Sequence, residues 1–214
     1  MTASIHIETF ALGDWQTNCY LVTAADSTDC WIVDAGFDPQ PMIAAIRKQN
    51  LSPTHILLTH AHLDHIGGLE PIHNTWPDIP ILIHDAETTY LTDPVNNLSA
   101  MWGQPVIAPQ STGTLTHGQT LTLAGQIFEV RHTPGHSPGG VTLYHAPSNQ
   151  ALVGDTLFAS GIGRFDFPHS DGATLMRSIH DQLMTLPDDV RIYPGHGPAS
   201  TIGRERATNP YLQL

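Results

Sequence analysis

Hydrophobic and polar positions alternate in short bursts along the first third of the chain. SIHIETF, NCYLVTA and CWIVDAG are rich in isoleucine, valine, threonine and aromatics, with turn-forming ALGD and ADSTD between them. That pattern predicts three strands. The period then changes. In DPQPMIAAIRKQN, Met42, Ile43 and Ile46 share a helical stripe, Asp38 can cap it and Pro39 suits its first turn. THILLTH is a short apolar run suited to a buried strand. A helix is expected from about Gly68 to Thr75, then a strand in PILIHDA and a short helix in AETTYLT. Residues 93–112 carry prolines, glycine and no clean period, and read as a long loop of the kind that often serves binding.

Strand patterns resume in QTLTLAG, QIFEVRHT, GVTLYHA and QALVGDT. A helix is expected over 171–186, with Leu175, Met176, Ile179, Leu183 and Leu186 on one stripe. VRIYPGH reads as a last strand and residues 201–214 as a short polar tail. Each half therefore runs through strands, a helix and a strand ending in a histidine motif. Two α/β halves packed sheet to sheet, with helices outside, fit this order. No low-complexity linker divides residues 1–214, so a single domain is expected.

Composition narrows the function. The 40% hydrophobic content fits a globular chain with a core. No apolar run approaches the ~20 residues of a membrane span. MTASIHIETF lacks the pattern of a signal peptide, so a cytoplasmic location is expected. Cys19 and Cys30 are too few for a disulfide framework and read as buried thiols. Twenty acids against one lysine and seven arginines give a net charge of −12. That argues against nucleic acid and anionic membrane partners. Fourteen histidines beside those acids are instead a stock of ligands for divalent metals.

Four places share one design, in which a strand ends and ligand-type residues follow at once. They are His60, His62, Asp64 and His65 in THAHLDHIGG, His136 in RHTPGHSPGG, Asp155 in ALVGDTLF, and His196 in IYPGHGP. A lone histidine or aspartate at a strand end is ordinarily a satisfied polar residue or a turn cap. Four such residues in six positions have no packing explanation. Strand ends are also where α/β folds aim loop residues at a common point. Thiolates are absent from every motif, and histidine with carboxylate suits Zn, Fe or Mn with positions left for water. Seven ligands exceed the needs of one tetrahedral ion. They suffice for two if Asp155 bridges them, and such a pair activates water for hydrolysis.

The order H-x-H-x-D-H, then His, Asp and His, resembles the metallo-β-lactamase-fold hydrolases from about residue 15 to 200. The resemblance implies an αββα sandwich of two mixed sheets. It also implies one metal on His60, His62 and His136, a second on Asp64, His65 and His196, and Asp155 between them. HTPGHSPGG, VGDTLFASGIGRFDF, YPGHGP and RERATNPYL resemble glyoxalase II, which hydrolyses glutathione thioesters. The typical enzyme continues into a helical C-terminal region, whereas this sequence stops at Leu214 and resembles the shorter bacterial subgroup.

The expected activity is thus hydrolysis of a small-molecule thioester such as S-lactoylglutathione, with two divalent ions, zinc first. Asp64 and Asp155 are the expected catalytic carboxylates. Arg164, in the loop after Asp155, is the expected substrate contact, against an alternative as a buried salt bridge to Asp166 or another acid. Asp34 in IVDAG is expected to support a metal ligand. The alternatives on this scaffold are a persulfide dioxygenase using one iron on His60, His136 and Asp155, and lactone or β-lactam hydrolysis. A non-enzymatic metal-binding module is the remaining one.

Overall fold

The computed structural model describes residues 5–213; Ser4, which opens the first expected strand, and Leu214 lie outside them. The first half builds a six-stranded sheet. Its strands are β1 (Ile5–Leu12), β2 (Thr17–Ala24), β3 (Asp29–Val33), β4 (Ser52–Leu57), β5 (Ile81–His84) and β6 (Gly113–Leu115), in that spatial order. β1 to β3 pair antiparallel and β3 to β6 parallel. The second half builds another, from β7 (Thr120–Leu123), β8 (Gln126–His132), β9 (Val141–His145), β10 (Gln150–Gly154), β13 (Arg191–Pro194) and β14 (Ser200–Thr201). Its order is β14-β13-β10-β9-β8-β7. A small hairpin, β11 (Leu157–Phe158) and β12 (Gly161–Ile162), stands apart.

Side-chain alternation sorts each strand between two cores. Tyr20, Val22, Trp31, Val33 and Leu57 point from the first sheet onto Phe128, Val130, Leu143 and Leu152 of the second. Their neighbours Leu21, Ile32 and Ile56 point outward, onto Met42 and Ile46 of α1 (Gln40–Lys48) and Leu69 and Ile72 of α3 (Leu69–Thr75). The second sheet buries Ala151, Val153 and Ile192 on its outer face against Leu183, Leu186 and Ile202. Central strands buried on both faces explain the continuous apolar runs. This is the expected sandwich of two mixed sheets flanked by helices. Both cysteines are free and buried. Among the described residues no helix is long and apolar enough to cross a membrane.

Several local expectations change. Asp38 does not cap α1, which starts from Pro39 without a side-chain cap. AETTYLT lies in a 3-10 helix, Asp85–Thr92. The 171–186 helix is α4 (Gly172–Ser178), capped by Asp171, and it widens into a π turn at Ile179–Leu183. Leu175, Ile179, Leu183 and Leu186 are buried as expected. The polar tail is instead α5 (Ile202–Thr208), with Ile202, Glu205 and Asn209 buried. Its polarity misleads because Glu205 accepts the Ser160 N–H (2.7 Å) and the Asn209 amide donates to the Gly161 carbonyl (3.0 Å). These side chains satisfy the backbone of the β11–β12 hairpin rather than face water.

Candidate metal centre

The ends of β4, β8, β10 and β13 open on the same edge of the sandwich and bring together all seven residues expected as ligands. The first cluster forms a one-turn helix, α2 (Leu63–Ile66), with His62 at its N-cap. His60, His62, Asp64, His65 and His136 are buried. The side chains of Asp155 and His196 are 9% and 32% exposed, so the site opens to solvent past His196. His60, His62 and His136 hold donor atoms all within 4.8 Å of one another, and so do Asp64, His65 and His196. Asp155 lies between. Its Oδ2 is 3.5 Å from His136 Nε2 and 3.6 Å from His196 Nε2, and its Oδ1 is 3.4 Å from His65 Nε2.

Outer contacts hold the unused imidazole nitrogens. His65 Nδ1 pairs with Asp34 Oδ2 (2.9 Å), His136 Nδ1 with the Arg164 carbonyl (2.8 Å), and His60 Nδ1 with Thr59 Oγ1 (3.1 Å). The other nitrogen of each ring then faces the centre, the arrangement that fixes tautomer and direction in metal-binding histidines. His60 Nε2, His65 Nε2 and Asp155 Oδ1 are buried without a hydrogen-bond partner. Orphaned buried polar atoms are costly, and three converging ones fit a bound cation. His62 Nδ1 and His136 Nε2 stand 2.9 Å apart, two ring nitrogens converging on one place. Gly195 precedes His196 because a Cβ there would collide with the Asp155 carboxylate.

Charge follows the same geometry. Burial opposes ionisation of Asp64, but His65, His196 and the Thr17 hydroxyl outweigh it and hold the carboxyl well below its usual range. Burial also opposes charge on His65, yet Asp64, Asp34 and Asp155 raise its pKa well above the ordinary imidazole value. Burial lowers His60 and His62, helped by neighbouring imidazoles, and favours the neutral form that a metal ligand requires.

Asp34 lies beside His65, the expected ligand it is read as supporting. It contacts His65 and also accepts the Thr59 N–H (2.7 Å) and hydroxyl (2.8 Å). Arg164 lines the cleft at the centre and forms a two-point ion pair with Asp166, its guanidinium 4.1 Å from the Phe167 ring centroid. Its side chain is 58% exposed, so the pair is solvated rather than buried. Sequence reasoning missed Thr17, whose hydroxyl donates to Asp64 Oδ2 (2.8 Å). It also missed Glu87, buried with both oxygens on backbone N–H groups. Neither sits in a motif, and a lone polar residue gives no signal of burial. Trp102, in the long 93–112 segment, lines the cleft, edge-on to Trp15 with centroids 4.6 Å apart. Leu63, Leu98, Phe158 and Phe167 complete a largely apolar cleft of about 280 Å³.

The comparisons agree with this geometry. Residues 12–196 match the family model of the metallo-beta-lactamase superfamily. The chain belongs to that superfamily. It is 34% identical over 210 residues to hydroxyacylglutathione hydrolase GloC of Haemophilus influenzae, covering 97% of this chain and 98% of that one. Among solved structures it resembles the B3 metallo-beta-lactamase BLEG-1 (37% identity, TM-score 0.93, covering 98% of this chain and 100% of that one). TTHA1623 in a di-iron-bound form is also similar (35% identity, TM-score 0.86, covering 96% and 100%). This member of the superfamily thus carries the fold of a metallo-hydrolase and a His/Asp cluster suited to divalent metal.

Proposed function

We propose that the protein is a dinuclear metal-dependent thioesterase acting on S-lactoylglutathione-like thioesters. The observation that carries this reading is the complete second group, Asp64, His65 and His196, beside the first, with Asp155 between them. A dioxygenase with one iron on His60, His136 and Asp155 would leave that second group without a role. Similarity to GloC supports the thioester. Zinc is the first choice of metal, and the di-iron form of TTHA1623 makes iron the alternative.

Two bound divalent ions would supply a water of lowered pKa and a Lewis-acid pull on the acyl oxygen. The chain's own residues do the rest. Asp155 is held ionised because His65, His136 and His196 outweigh its burial. Asp64, braced by Thr17, is fixed towards His196, 3.1 Å away, and can orient the attacking water. Attack forms a C–O bond at the acyl carbon and breaks the C–S bond. The thiolate leaves without a strong acid, since thiols have pKa values of about 8.5. The aromatic cleft seats the apolar part of the substrate, and Arg164 at its rim can meet a carboxylate by exchanging its solvated Asp166 partner.

The test is hydrolysis of S-lactoylglutathione by purified protein, with metal content measured on the same sample. Turnover with about two ions per chain, as a dinuclear site requires, supports the reading. Two ions without turnover removes glutathione thioesters and moves the assay to lactones and β-lactams, a second reading favoured by the likeness to BLEG-1. A single iron without hydrolysis overturns the dinuclear hydrolase.

A further inference from the structure

Glu87 sits on the 3-10 helix after β5, outside every ligand motif, yet its side chain reaches both loops that carry the three-histidine group. Its Oε2 accepts the N–H of Ala61, between His60 and His62, at 2.6 Å. Its Oε1 accepts the N–H of Gly139, three residues after His136, also at 2.6 Å. The residue is fully buried. We propose that Glu87 is a positioning residue that sets the spacing of the His60/His62 loop against the His136 loop, and so tunes metal affinity at the three-histidine group.

The chemistry of the tie is specific. Backbone N–H groups only donate, so both side-chain oxygens must accept. A carboxylate meets that need and an amide does not, because its NH2 would face an N–H. Aspartate, one methylene shorter, cannot span the same two donors. The tie works beside one backbone bond, from the Val141 N–H to the Thr59 carbonyl (2.9 Å), at the base of the same two loops. That bond holds the loops where the sheets meet, while Glu87 holds them next to the ligands. The inference rests on the proposed two-ion reading of the cluster, and wild-type stoichiometry measured alongside separates failure of one from failure of the other.

The experiment titrates metal-free wild type and Glu87→Gln with zinc against a competing chelator. It then repeats the titration with cobalt(II), whose visible spectrum reports ligand geometry. Glu87→Gln is expected to bind one of the two equivalents about 10- to 100-fold more weakly, as with other partners behind metal ligands. The cobalt bands of that site should shift and the other equivalent stay as in wild type, while the metal-free protein still unfolds cooperatively at a lowered melting temperature. Unchanged affinity and spectrum, or equal weakening of both equivalents, would overturn the assignment. If Glu87→Gln fails to fold, Gly139→Ala asks the same question from the other side. A Cβ at 139 would lie 2.9 Å from Glu87 Cγ and displace it, so the same selective loss is expected. Wild-type binding in that variant would overturn the assignment as well.

Discussion

His65 Nδ1 lies 2.9 Å from Asp34 Oδ2, with both side chains sealed from solvent. Asp34 adopts a left-handed backbone (φ 61°) at the end of β3, and from there its two oxygens take His65 and both donors of Thr59. One carboxylate thus orients a candidate ligand and fastens the loop that begins the ligand cluster. Asp34→Asn keeps the shape but turns an amide NH2 towards donors. It should lower metal affinity about 10- to 100-fold and stability by about 1–3 kcal/mol. Chelator competition and thermal melting measure the two losses. Wild-type affinity in a folded Asp34→Asn protein would show that Asp34 serves the loop alone.

The same pair makes metal binding proton-coupled. In the metal-free protein the His65 pKa is raised by Asp64, Asp34 and Asp155 against the effect of burial. The sign follows from linkage. A raised imidazole pKa contributes stability below the unfolded value of about 6.5 and loses it as pH rises through the folded value. Asp64, with its pKa depressed, contributes above the ordinary carboxyl value and loses that contribution as pH falls. The metal-free protein should therefore lose melting temperature on the alkaline side, above neutrality. Metal must displace the His65 proton, so loading near neutral pH should release protons and metal affinity should rise with pH. Calorimetric titration in two buffers of different ionisation enthalpy reads the release. Identical heats in both would refute it.

Asp155 touches both ligand groups, so its loss should be felt at both. Asp155→Ala is expected to lose most metal and nearly all turnover while retaining cooperative unfolding. Metal analysis, activity and a melt on one preparation check this. An active, metal-free Asp155→Ala protein would sink the dinuclear hydrolase. Chelation of the wild type should act the same way, abolishing turnover with the fold intact, since core clusters lie on the outer faces and between the sheets. Collapse of the fold on chelation would mean a structural metal instead.

The clustering of these seven residues was legible in the sequence because His60, His62, Asp64 and His65 crowd one strand end, and His136, Asp155 and His196 repeat the device. The sheets were legible because Leu21, Ile32 and Ile56 alternate with Val22, Trp31 and Leu57 at a period of two. What supports the ligands was not. Glu87 and Thr17 act through hydrogen bonds spanning 26 to 52 residues of chain, and no local pattern records such a pairing. α5 was misread because Glu205 and Asn209 look solvent-bound until the β11–β12 hairpin gives them donors and acceptors. Asp34 was readable because it ends a strand in a family-like motif, but its three bonds were not.

The aromatic pair at the cleft mouth should decide substrate binding more than chemistry. Trp15 comes from the β1–β2 turn and Trp102 from the long 93–112 segment, and they meet edge to face across the entrance. Both are partly exposed, at 37% and 48%, an arrangement that leaves apolar surface for a substrate to cover. Aromatic contacts of this kind contribute about 0.5–1.5 kcal/mol beyond simple burial. Trp102→Ala should therefore raise KM for a thioester substrate about three- to tenfold with kcat little changed, the signature of lost uniform binding. Trp15→Ala should do the same, and the double variant should cost less than the sum of the two, because each ring supports the other. Steady-state kinetics on the three variants settles the point. If kcat falls in step with kcat/KM and KM stays fixed, the pair acts on the transition state. In that case the cleft mouth contributes to the reaction itself rather than to capture of the substrate.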